Sequence, residues 1–152
     1  MNAIKKTIVI ATLALVMVTL YGVDFLIARQ YRIDVIDVTP ESTYADGKSE
    51  VQLVVQVIKG DEPQREHLLS AIAINGGDMK SRRVVTDENG MAKFIYYPYV
   101  ATSFSELRDT VLRISDLSNS VFISVPTQME VKIKILRPEN KDTGKTTSDL
   151  FG

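Results

Sequence analysis

"VVTDENGMAKFIYYP", running from Val84 to Pro98, decides how the rest of the chain is read. Asp87-Glu88-Asn89-Gly90 collects turn-forming residues in one place. Asp and Asn side chains bond their own backbone, and an Asn-Gly pair supplies the positive φ values that a tight hairpin turn needs. The segment after the turn alternates. Ala92, Phe94 and Tyr96 share one face, and Met91, Lys93, Ile95 and Tyr97 share the other, as the two-residue period of a strand requires. Pro98 ends the ladder because it has no N–H to donate. The stretch reads as a hairpin corner feeding a core strand, and it supplies fold rather than catalysis.

The same period of two runs outward from it. "EVQLVVQVIKG" puts Val51, Leu53, Val55 and Val57 on one face and Gln52 and Gln56 on the other, the pattern of a half-buried strand. "MEVKIKIL" sets Val131, Ile133 and Ile135 against Glu130, Lys132 and Lys134. "YRIDVIDV" alternates Ile33 and Val35 with Asp34 until Ile36 breaks the pattern. "LLSAIAINGG" is a further strand closed by Gly76-Gly77, and "MKSRRVV" a weaker one. "TVLRISD" and "SVFISV" are expected to pair across "LSNS", and "FSELRD" to form a single helical turn in a longer crossover. Pro40 and Asp46-Gly47 punctuate the early part as turns. Seven or so short strands with regular turn signals predict an all-β fold, an antiparallel β-sandwich over residues 31–137. Residues 138–152, "RPENKDTGKTTSDLFG" with its flanking Arg137, are polar and expected to be a flexible tail.

The first thirty residues read differently. Lys5 and Lys6 precede an unbroken apolar run from Thr7 to Val23, followed by Asp24, "FLIA" and Arg29. From Thr7 to Ala28 a helix spans about 33 Å at ~1.5 Å per residue, enough for a bilayer core of about 30 Å. Asp24 then lies near the outer interface, where a charge costs less than at the centre, and Tyr21 and Tyr31 suit interfacial positions. The run is longer than the usual h-region of a cleaved signal, and no Ala-x-Ala site follows it. A buried core helix would need a polar face that this segment lacks. Residues 1–30 are therefore read as a signal anchor, one transmembrane helix retained in the membrane, with a cleaved signal peptide as the alternative. The two lysines favour a cytoplasmic amino terminus and an extracytoplasmic sandwich.

Composition excludes several functions. Of 152 residues, 18 are Lys or Arg and 19 Asp or Glu, a net charge of −1, so no global field argues for nucleic acid. The absence of cysteine removes disulfides, zinc-thiolate sites and cysteine nucleophiles. "NGGDMK" lacks the strand-to-helix setting of a phosphate loop. No cofactor, metal site or small-molecule substrate is indicated.

At Pro40 with Ala45-Asp46-Gly47, and at Thr86-Asp87 with Gly90 and Ala92, the sequence resembles the bacterial immunoglobulin-like domains of the invasin and intimin adhesins. That family tends to show a Pro-x-x-x-x-Ala-Asp-Gly segment before its second strand and a Thr-Asp-x-x-Gly-x-Ala turn and strand in the middle. The likeness covers roughly Ile33 to Pro98; beyond it only the strand pattern agrees. Such adhesins carry tandem copies and a large outer-membrane anchor, whereas this chain holds one copy behind one amino-terminal helix. The resemblance implies an immunoglobulin-like sandwich and an extracellular structural role, and it does not imply receptor binding.

The polar candidates each have a plain explanation. Thr86-Asp87-Glu88-Asn89 offers oxygen ligands for calcium, but the spacing is not that of an EF-hand and turn support explains it. His67 beside Glu66 has no nucleophile or orienting acid nominated by the sequence and is read as a solvated loop histidine. Asp61-Glu62 is read as solvated loop. Lys80, Arg82 and Arg83 read as a polar edge strand that resists edge-to-edge pairing. The apolar candidates are more informative. With Ala92, Phe94 and Tyr96 in the core, Met91, Ile95 and Tyr97 face outward and Tyr99 and Val100 continue the patch, a candidate partner-binding surface. "DLFG" at the carboxyl end is read as a frayed end, a docking peptide being the alternative.

The expected function is therefore non-enzymatic: a membrane-anchored immunoglobulin-like subunit or accessory factor of a bacterial envelope or surface assembly, with the lipid bilayer and other envelope or surface-assembly proteins as partners. The alternative is a stand-alone surface adhesin or ligand-binding module.

Overall fold

The computed structural model describes residues 3–102, 104–123 and 125–138. The expectations for the "DLFG" end and for most of the polar tail lie outside the described residues. Ala3–Ala28 forms helix α1. Its segment Ile4–Ala28 is long and apolar enough to cross a membrane. Apolar side chains on every side of it, among them Ile8, Leu13, Leu15 and Val18, are left uncovered by the sandwich, and a helix apolar all round belongs in a core or a membrane. Thr12 and Thr19 return their hydroxyl protons to the carbonyls of Ile8 and Leu15, each at 2.9 Å, so neither leaves a bare polar group on that surface.

Only Arg29 and Gln30 separate α1 from the first strand. The strands are β1 (Tyr31–Thr39), β2 (Ser42–Tyr44), β3 (Val51–Lys59), β4 (Glu62–Pro63), β5 (Leu68–Ala73), β6 (Asp78–Met79), β7 (Arg83–Val85), β8 (Met91–Tyr97), β9 (Thr110–Asp116) and β10 (Thr127–Leu136). One sheet runs β1-β3-β8-β6, with β4 appended to β3, and the other runs β2-β10-β9-β5-β7. The first is the A-B-E-D order of an immunoglobulin-like sandwich, and β10-β9-β5 is its G-F-C order. β2 and β7 extend the edges of the second sheet, β2 lying parallel to the end of β10. The fold is an immunoglobulin-like β-sandwich preceded by one helix.

The core follows from the alternation. Val51, Leu53, Val55 and Val57 of β3 and Ala92, Phe94 and Tyr96 of β8 meet Leu69, Ala71, Leu112, Ile114, Ile133 and Ile135 of the facing sheet, all buried. Tyr96 is fully buried, and its hydroxyl is shared with Thr110 Oγ1 at 2.7 Å and donated to the Gly76 carbonyl at 3.1 Å. Burial raises its pKa above the ordinary tyrosine range, and the Thr110 bond offsets only part of that rise. Ile36, which breaks the sequence pattern, sits at a β-bulge: the β1–β3 register shifts between Val35 and Asp37, and the extra residue restores Val38 to the core side.

Two local expectations are corrected, and a third holds in part. Residues 120–123 and 125 are not in a strand, and β9 pairs instead with β10, from Thr127 opposite Asp116 to Ile133 opposite Thr110. The amides of Val121, Phe122 and Ile123 are taken by a carboxylate of α1, which leaves them unable to serve a ladder. "FSELRD" forms a turn without helix, closed by Ser105 N–H on the Thr102 carbonyl at 3.1 Å. Of "MKSRRVV", Arg83–Val85 is the expected strand, β7, and the residues before it are a handover between layers: Lys80 N–H donates to the Ile95 carbonyl of one sheet and the Arg82 carbonyl accepts from Ala71 N–H of the other.

Register also assigns the two ends. Tyr31, which follows the helix, pairs with Lys59, so this end, with Leu68, Asp116 and Thr127, is proximal to α1. Val51, Tyr96, Thr110 and Leu136 mark the distal end. The turn of the opening stretch is therefore proximal, and its "YYP" end distal; it is a corner between sheets and not the expected hairpin, because β7 before it pairs with β5 and β8 after it with β3 and β6.

Candidate functional site

The joint between helix and sandwich is built on Asp24. It stands one helical turn before Ala28, about 6 Å along the axis at ~1.5 Å per residue, and it is fully buried. Its Oδ1 accepts the Val121 N–H at 2.9 Å, and its Oδ2 accepts the Phe122 N–H at 2.8 Å and the Ile123 N–H as well. Three successive amides converging on one carboxylate form a strong, charge-assisted nest. Thr127 adds a second tie by donating its hydroxyl to the Ala28 carbonyl at 2.8 Å, while accepting from Asn119 Nδ2 at 2.6 Å. α1 is thus bound to the loop before β10 as well as continuous with β1. Sequence reading placed Asp24 at an interface but missed its partners. An acidic residue within an apolar helix was the available signal, and the amides that answer it lie 97 to 99 residues away.

His67 is also corrected. It is no solvated loop residue: its Nδ1 lies 2.7 Å from Asp116 Oδ2, its side chain is 13% exposed and that of Asp116 0%. Tyr31 covers the ring at 5.3 Å between centroids, and the Lys59 ammonium stands over Tyr31 at 5.1 Å. Asp116 uses its other oxygen to accept Ser118 N–H at 2.9 Å, and Ser118 Oγ accepts Leu68 N–H at 2.7 Å. The pair clamps the start of β5 to the end of β9, and the nearby hydroxyl is engaged in the same clamp.

The turn residues behave as turn residues. Asp87 Oδ1 accepts the amides of Asn89 and Met91, both at 2.9 Å, which spends on its own backbone the oxygen a cation would need. Asp46 accepts Lys48 and Ser49 N–H at 2.8 Å and the Ser49 hydroxyl at 2.6 Å. Burial pushes its pKa upward, but the Ser49 and Lys48 bonds more than offset this and leave it below the ordinary 3.8. Arg83 lies on the edge strand β7 and Arg82 pairs with Asp78 at 3.2 Å. Among the described residues no group of three or more His, Asp or Glu is placed to hold a metal ion.

The five apolar candidates do not form one surface. Met91, Ile95 and Tyr97 lie half-buried on the outer face of β8, where Tyr97 donates its hydroxyl to Glu50 at 2.6 Å. Tyr99 packs against the core, and its hydroxyl bridges the Arg108 carbonyl and amide at 2.9 and 2.8 Å, bracing the crossover into β9. Val100, 69% exposed, sits at the distal end, four residues from Phe104, which is 97% exposed. Phe104 was not singled out by the sequence, because nothing in a loop pattern says which of its apolar residues the fold will cover.

No protein-family model matches the chain. No curated protein sequence matches it. Among solved structures, it is similar to the D00-D0 domain of intimin at 16% identity and a TM-score of 0.47, over 65% of this chain and 46% of that one. It is similar to the D0-D1 domain of intimin at 19% identity and a TM-score of 0.45, over 68% and 49%. A conjugative transposon lipoprotein from Bacteroides eggerthii DSM 20697 is 14% identical with a TM-score of 0.46, over 68% of this chain and 96% of that one. The chain spans about half the length of the two intimin fragments.

Proposed function

We propose that the protein is a membrane-anchored, non-enzymatic immunoglobulin-like module that serves as a subunit or accessory factor of a bacterial envelope or surface assembly. Its amino terminus lies in the cytoplasm and its sandwich outside the membrane. The observation that carries this reading is the joint. A helix long and apolar enough to span a bilayer is tied to its sandwich through Asp24 and Thr127, so the module is held in position instead of swinging on a linker. A held module suits an assembly that needs a domain at a set place above the membrane. Partner contact belongs on the outer face of β8, with Met91, Ile95 and Tyr97, and on the distal end, with Val100 and, after Tyr99, Phe104. The edge strands β1 and β7 offer backbone pairing as a further mode.

The test is the native mass of the full-length protein extracted from its own membranes in mild detergent, with the stoichiometry of co-purifying chains. A particle of defined composition that falls apart on Ile95→Asp or Val100→Asp supports an assembly subunit. A lone monomer with an intact amino terminus overturns it in favour of the tethered adhesin or binding module. An amino terminus lacking α1 overturns the anchor.

A further inference from the structure

The loop that Asp24 holds is apolar where it is not bonded. Its three amides point into the carboxylate, while Val121 is 66% and Phe122 57% exposed. Residues 121–123 carry no polar side chain, and Val125 and Pro126 follow close by. On the helix side of the same joint, Phe25 and Leu26 are exposed, and Val125 and Pro126 line a shallow recess with Phe25, Ala28 and Tyr31. Isolated exposed apolar residues are ordinary. Here they lie together on the part of the proximal end that adjoins α1, continuous with the last turns of a membrane-length helix.

Depth decides what that underside meets. Because the loop bonds to Asp24, it lies level with the last helical turn rather than beyond the helix end. If α1 crosses the bilayer through Ala28, a loop at the level of residue 24 stands in the boundary between headgroups and acyl chains. Backbone at that depth has to be paired, since water is scarce. The Asp24 carboxylate pairs three amides in succession and so meets that requirement for the loop. Arg29, whose guanidinium lies 5.6 Å from the Phe25 ring centre, and Arg32 follow at the level expected for headgroup phosphates.

We propose that the Val121–Phe122 tip is a second membrane-contacting element, which dips into the interface of the bilayer that α1 spans and sets the sandwich at a fixed tilt on the lipid surface. The proposal rests on the anchor reading and adds to it a lipid contact made by the sandwich itself. Its ligand is the headgroup–acyl boundary of a phospholipid bilayer.

The chain has no tryptophan, so single substitutions make clean reporters. Full-length Leu13→Trp, Phe122→Trp and Phe104→Trp proteins are reconstituted separately in phosphatidylcholine vesicles containing lipids brominated at shallow or deep acyl positions. The expected result is quenching of the Leu13→Trp protein by deep bromines and of the Phe122→Trp protein by shallow ones, with a blue shift. The Phe104→Trp protein, at the distal end, stays red-shifted and unquenched. Adding Asp24→Ala to Phe122→Trp should reduce the shallow quenching, while adding it to Leu13→Trp leaves the deep quenching in place. Quenching of the Leu13→Trp protein alone overturns the proposal and keeps the anchor. A blue-shifted but unquenched Phe122→Trp protein also overturns it, since protein rather than lipid then covers the tip. Absence of quenching in all three overturns the anchor reading and the proposal with it.

Discussion

The Asp24 carboxylate accepts the Val121 backbone N–H at 2.9 Å although 97 residues separate them. One acid inside an apolar helix thereby organises a loop at the far end of the chain. Asp24→Ala leaves the amides of Val121, Phe122 and Ile123 without their acceptor. Each buried unpaired group costs about 1–3 kcal/mol, and solvent reaching the loop reduces that. Hydrogen exchange should accelerate at residues 121–123 while the β3 and β8 amides stay protected. Unchanged exchange at the loop would mean that the carboxylate is not what holds it.

Tyr96 is the largest fully buried side chain of the sandwich, and it carries a polar tip. Tyr96→Phe keeps the ring and removes the hydroxyl bonded to Thr110 and Gly76. Urea denaturation should show a loss of about 1 kcal/mol, with a larger loss if Thr110 is left unpaired. Phe94→Ala, which opens a cavity between the sheets, should cost about 3–5 kcal/mol. Equal effects from the two substitutions would contradict a Phe94 ring packed between the sheets.

Gly90 ends the Asp-Glu-Asn-Gly turn at φ 71. A Cβ there would lie 2.8 Å from both the Gln64 nitrogen and the Val57 oxygen. Gly90→Ala therefore combines left-handed strain with a clash against backbone, a cost of about 1–3 kcal/mol. Gly60, also at positive φ, has open space around its would-be Cβ. Gly60→Ala should cost less, and thermal melts of the two variants compare them directly.

Asp46 gives the distal turn an acid dependence. Its folded-state pKa lies below the ordinary 3.8 because the bonds from Ser49 and Lys48 outweigh burial. A depressed carboxylate contributes its stability above the unfolded-state pKa and loses it as pH falls through the folded-state value. Asp46→Asn should therefore destabilise the protein at neutral pH and flatten the decline of stability below about pH 4, the ordinary aspartate range. A variant whose stability runs parallel to the parent across the acid limb would remove Asp46 from that account.

The His67–Asp116 clamp predicts a structural rather than a catalytic phenotype. His67→Ala strands a buried carboxylate oxygen and should cost about 1–3 kcal/mol, seen as earlier urea unfolding with faster exchange at Leu68 and Leu117. A stable His67→Ala protein with unaltered exchange would leave the pair without the role assigned to it.

The sandwich was legible in the sequence wherever one face of a strand is buried and the other wet. Val51 to Val57 and Ala92 to Tyr96 alternate because each side chain answers to only one environment, and Asp87 to Gly90 marks the corner because Asp87 bonds the turn's own amides and Gly90 relaxes into a positive φ. The helix was legible for a similar reason, since apolarity on every face leaves few soluble homes. What stayed hidden depends on pairs remote in sequence. "SVFISV" has the composition of a strand, and nothing local reveals that Asp24 claims its amides. His67 looks like a loop residue until β9 brings Asp116 to 2.7 Å. Met91 to Val100 looks like one patch until Tyr99 turns inward to brace Arg108. Alternation, turns and hydrophobic length are properties of neighbours along the chain, so the sequence alone determined the sandwich and the apolar helix. The joint that holds one to the other and the surfaces left exposed were decided only by the tertiary structure, because hydrogen bonds and burial are set by distance in space.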